Sequence, residues 1–77
     1  YQKEYNETIN KCNWILANYH MEFDWLRGFA HLLRGMAYEE KGEYISAKAD
    51  YLEVIKMDSY YPEVEETKQR IEVINSQ

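Results

Sequence analysis

Residues 34–58, RGMAYEEKGEYISAKADYLEVIKMD, constrain this chain more than any other stretch. Two apolar segments with helical spacing lie either side of a single glycine, Gly42. Gly35 and Ala47 are small where two helices would have to come close. Tyr38, Tyr44 and Tyr51 are large where a gap would have to be filled. The pattern suits a helix–turn–helix hairpin that stacks on similar units. Gly42 is expected to end its helix in the left-handed conformation, which glycine adopts without steric cost.

The flanking sequence extends this periodicity in both directions. Tyr5, Ile9, Cys12, Ile15, Leu16 and Tyr19 recur every three or four residues and predict a helix over residues 2–18. Asp24 is a candidate N-cap for a helix running to Lys41, whose wide apolar stripe comprises Trp25, Leu26, Phe29, Leu32, Leu33, Met36 and Ala37. A third helix over residues 43–57 would turn Tyr44, Ala47, Tyr51, Val54 and Ile55 inward and Lys48, Asp50, Glu53 and Lys56 outward. A turn is expected at Asp58, Ser59, Tyr60 and Tyr61. Pro62 opens a fourth helix with Glu63, Glu65 and Glu66 at its positive end. Val64, Thr67, Ile71 and Ile74 form its narrow apolar face, and residues 75–77 are expected to fray.

Composition excludes several classes of function. At 77 residues there is room for one domain with a modest core. With 14 acids against 9 bases, and no run of three bases, the chain lacks a phosphate-binding surface, so no nucleic-acid partner is expected. No apolar run reaches the roughly 20 residues that cross a bilayer. One cysteine, Cys12, rules out an internal disulfide and fits a reducing compartment, which favours the cytoplasm. The chain opens at Tyr1 rather than methionine, so a processed or excised piece is expected, from which a targeting signal could have been lost.

The chain also resembles itself. EYNETINKCNWIL aligns without a gap under EYISAKADYLEVI, placing Tyr5 with Tyr44, Thr8 with Ala47, Cys12 with Tyr51, Ile15 with Val54 and Leu16 with Ile55. Gly35, Tyr38, Gly42, Tyr44, Ala47, Tyr51 and Val54 stand at the spacings of the tetratricopeptide repeat (TPR), which the chain resembles over nearly its whole length. Two positions depart from that motif. Ser59 stands where a proline usually closes the repeat, and His31 where a large residue is usual.

The resemblance implies an all-α fold of antiparallel helical hairpins stacked as a short right-handed superhelix of four helices. Residues 2–19 would be the second half of a preceding repeat, residues 24–58 the complete hairpin, and residues 62–75 a following or capping helix. It also implies a scaffold or adaptor that binds a protein or peptide in a concave groove. Phe29, Leu32, Met36 and Glu39 would line that groove, joined by Glu66, Arg70 and Val73 from the last helix. Phe29, Leu32 and Met36 suit core packing equally well, and the sequence leaves both readings open. Because Phe29, Leu32, Met36 and Glu39 are apolar or acidic, an apolar or basic peptide fits the α2 side of the groove better than an acidic one.

The first helix would lack its own partner, leaving Tyr5, Ile9 and Trp14 uncovered. Self-association through that helix, or a longer repeat array, would cover them. The alternative to a binding module is therefore a structural or oligomerisation segment of a longer helical-repeat protein, with no ligand of its own.

Nothing in the sequence points to an enzyme, a metal or a cofactor. Cys12, His20 and His31 lack the spacing of a metal site. Cys12 reads as a small core residue and His20 as a helix-end residue. Glu39 and Glu40, like Glu65 and Glu66, are adjacent and so point about 100° apart on a helix, which prevents them from converging on one atom.

Overall fold

The computed structural model describes residues 2–19, 24–56 and 62–76. These form four helices: α1 (Gln2–Asn18), α2 (Asp24–Glu40), α3 (Tyr44–Ile55) and α4 (Pro62–Asn75). The fold is all-α, and no strand occurs among the described residues. The expected turn at residues 58–61, together with His20 and Met57, lies outside the described residues.

The α2–α3 turn follows from local chemistry. Gly42 has φ +81°, the left-handed conformation its lack of a Cβ allows. Glu43 N–H donates to the Tyr38 carbonyl at 2.9 Å and Gly42 N–H to the Glu39 carbonyl at 3.0 Å. This is the Schellman arrangement, which satisfies carbonyls that the end of α2 would otherwise leave unpaired. Lys41 braces the turn, pairing with Glu43 at 3.2 Å and donating to the Asn6 side chain at 2.6 Å.

The hairpin closes on Tyr51. Leu32, Ala47, Tyr51, Val54, Val64 and Ile74 form the buried core of α2, α3 and α4, with Met36, Tyr38 and Ile71 packed at its edge. A methyl group placed on Gly35 would lie 2.5 Å from Cε1 of the Tyr51 ring. Glycine is therefore required at that position by the helix–helix approach. In α4 the expected apolar face is the packed face: Val64, Thr67 and Ile74 are buried and Ile71 half-buried.

Helix α1 packs on α2 alone among the described helices. Asn6 meets Lys41, Asn13 meets Arg34, and Leu16 meets Arg27, so the two helices run antiparallel. The end of α1 is capped from α2. Arg27 Nη1 donates to the Leu16 carbonyl at 2.8 Å and to the Tyr19 carbonyl. Because α1 has no basic residue in its own last turn, Arg27 supplies the cation that its negative end favours.

Several sequence expectations need correction. Ile9 is buried at 8% exposure and Tyr5 is half-buried, so of the three residues expected uncovered on α1 only Trp14 is exposed, at 59%. Tyr44 points outward at 38% exposure, while Asp50, expected outside, is 3% exposed. At the end of α4 the Ser76 amide and hydroxyl both donate to the Glu72 carbonyl, at 3.0 and 2.8 Å, and Gln77 lies outside the described residues.

Gly35→Ala should destabilise the chain by about 1–3 kcal/mol, because the overpacked Tyr51 ring is buried and has nowhere to move. Gly42→Ala should cost about 1 kcal/mol through the positive φ alone. Urea denaturation of the two variants would check both values and their order.

Candidate functional site

The open surface of α2 is the clearest candidate site. Helix α2 touches each of the other three helices, which cover most of its circumference. What remains open is one face carrying Trp25, Phe29, Leu33 and Glu40, at mutual spacings of four and seven. Trp25 is 58% exposed, Phe29 44% and Leu33 37%, with half-buried Met36 between them and the core. Water thus meets large apolar groups where a surface helix usually presents charge.

Beside the C-terminal end of this face, α2 and α4 enclose a shallow pocket of about 320 Å³, lined by Glu39, Glu66, Gln69, Arg70 and Val73. Glu39 accepts a hydrogen bond from the Tyr51 hydroxyl at 2.7 Å and lies 3.4 Å from Arg70 Nη1. Arg70 Nε is 3.5 Å from Glu66. Burial and the hydrogen bond to Glu39 push the Tyr51 phenol far above its ordinary value, keeping it a donor.

The seven residues expected to line a groove divide accordingly. Glu39, Glu66, Arg70 and Val73 come together at the pocket, and Phe29 lies on the open face of α2. Leu32 does not reach the surface. It is 4% exposed within the core, because α3 and α4 pack on its side of α2. Met36 bridges core and surface. Trp25, Leu33, Glu40 and Gln69 were not among the expected groove positions, although the i, i+4, i+8 series from Trp25 to Leu33 was the available signal.

A second cluster, under α1, holds the fold together. Asp50 receives two hydrogen bonds from Arg34, from Nε at 2.8 Å and Nη2 at 2.5 Å, and His31 Nδ1 lies 2.9 Å from its Oδ1. The third guanidinium nitrogen of Arg34 reaches Asn13 on α1 at 2.6 Å. Burial would raise the Asp50 carboxyl, but the hydrogen bonds from His31 and Arg34 outweigh it and hold the group below 3.8. Nearby Cys12 is buried, and that burial raises its thiol above the ordinary value. A nucleophilic cysteine needs the opposite shift. Among the described residues, no three histidine, cysteine or acidic side chains are grouped so as to hold a metal ion.

No protein-family model, curated protein or solved structure matches the chain. No helix among the described residues is long and apolar enough to cross a membrane. Fold and surface together define a four-helix all-α chain with one apolar open face beside a charged pocket.

Stability should depend on pH at both extremes. The charged form of Asp50 is favoured on folding, so its contribution is intact above pH 3.8 and drains away as pH falls below that value. The neutral form of Tyr51 is favoured, so its contribution is intact below pH 10.0 and is lost as pH rises beyond it. Asp50→Asn should cost about 3 kcal/mol at neutral pH by leaving Arg34 without its counter-charge. It should also flatten the acid limb. Urea midpoints measured against pH for both chains would check this.

Proposed function

We propose that the chain is a protein–protein interaction module that seats an apolar segment of a partner protein along α2. The observation carrying this reading is that the one solvent-open face of α2 is built from Trp25, Phe29 and Leu33, beside the pocket between α2 and α4. Exposed aromatic side chains grouped on a rigid helix are the usual anchors of binding surfaces. Burying them would also remove a cost that the free chain carries. The resemblance of the central hairpin to a TPR agrees with this reading, since the groove-facing positions it implies include Phe29 and Met36.

The structure also guides the choice of test residue. Glu39 accepts from Tyr51 and pairs with Arg70, so reversing its charge would disturb folding as well as binding. Trp25 and Phe29 are more exposed and offer a cleaner probe. Peptides selected from a random display library against the chain should lose about tenfold or more in affinity on the Trp25→Ala, Phe29→Ala double variant. Helicity and melting temperature should change little. If the double variant instead alters sedimentation while no peptide is enriched, the chain is a structural or oligomerisation segment.

A further inference from the structure

We infer that the partner segment is cationic at one end, with its lysine or arginine side chains placed against the C-terminal end of α2. This deepens the binding reading above and rests on it. The argument comes from where each charge of the open face is committed.

At the C-terminal end of α2, Glu40 is exposed and takes part in no ion pair among the described residues. Glu39 and Glu66 share a single cation, Arg70. Helix α2 has no basic residue in its last turn, so the partial negative charge of its terminus is not offset from within. At the edge of the apolar surface Glu40 is thus a carboxylate without a counter-cation at a helix C-terminus, and beside it the pocket sets Glu39 and Glu66 against one guanidinium.

The remaining cations of this region are turned elsewhere. Arg27 is spent on the Leu16 and Tyr19 carbonyls, and Arg34 on Asp50 and Asn13. Lys68 pairs with Glu65, Lys48 donates to Asn75, and Lys41 donates to Asn6. An acidic segment laid on α2 would find, among the cations of α2 and α4, only Arg70 at the pocket, already shared between two acids, and would leave its own charges against Glu40. A basic segment meets complementary charge at one end and bulky apolar groups along the rest. The distance from Trp25 to Glu40 is about 22 Å at the helical rise, enough to seat roughly four turns of a partner helix. A second copy of this chain is a poor occupant, because its net charge is −5 and its nine bases are scattered.

Two synthetic peptides of about 16 residues would test the inference, both with leucines spaced three and four apart. One carries lysines in its terminal turns and the other glutamates at the same places. Fluorescence anisotropy with the full chain at low salt should show the lysine peptide binding about tenfold more tightly. The preference should shrink at high salt. Glu40→Lys, an exposed change that also suits the helix terminus, should leave circular dichroism unchanged and abolish the preference. Phe29→Ala should weaken both peptides. Equal or tighter binding of the glutamate peptide, or a preference untouched by Glu40→Lys, overturns the cationic partner while leaving the binding face standing. Failure of both peptides, or binding indifferent to Phe29→Ala, removes the face itself. A chain that sediments as a dimer and becomes monomeric with Phe29→Ala assigns the face to a second copy and overturns the inference.

Discussion

The carboxylate of Asp50 is the contact on which the arrangement of α1, α2 and α3 depends. Arg34 grips it with two parallel hydrogen bonds and uses its remaining nitrogen on Asn13, so one guanidinium spans three helices. Charged pairs of this kind contribute modest net energy, since both groups leave water to form them. Their effect is on geometry. A planar fork accepts a carboxylate in only one relative orientation, whereas apolar packing tolerates sliding. The spacing between α2 and α3 is set by Gly35 against Tyr51, and their register by Arg34 against Asp50.

Much of this architecture was legible in the sequence. The helix boundaries, the left-handed Gly42, the close approach at Gly35 and the packed face of α4 all follow from local spacing and steric rules. Asp50 was misread because its neighbours Lys48 and Glu53 mark a polar face, while its partners Arg34 and His31 lie 16 and 19 residues away. A helical wheel describes one helix and cannot register a contact made by another. His31 was the available hint: a polar ring at a position where a large apolar residue is expected requires a polar partner.

The candidate site was legible in part, for a related reason. Glu39, Glu66, Arg70 and Val73 gather at the pocket, while Leu32 turns inward. A stripe as wide as that of α2 serves two surfaces at once, and periodicity alone does not divide it. Contact with α3 and α4 decides the division, drawing in Leu32 and leaving out Phe29 and Leu33, which lie on its other side.

The cap that Arg27 places on α1 carries a consequence for the order of assembly. A helix whose last carbonyls are satisfied from within can form before it docks; α1 depends instead on a side chain from the helix that follows it. The α2–α3 hairpin closes over a turn of only three residues, so its nucleation costs little loop entropy. On these terms the hairpin can close on its own, while α1 completes its C-terminal end only on docking to α2. Loss of the α1–α2 contact therefore also uncaps α1, so undocking and fraying of its C-terminal end are one event.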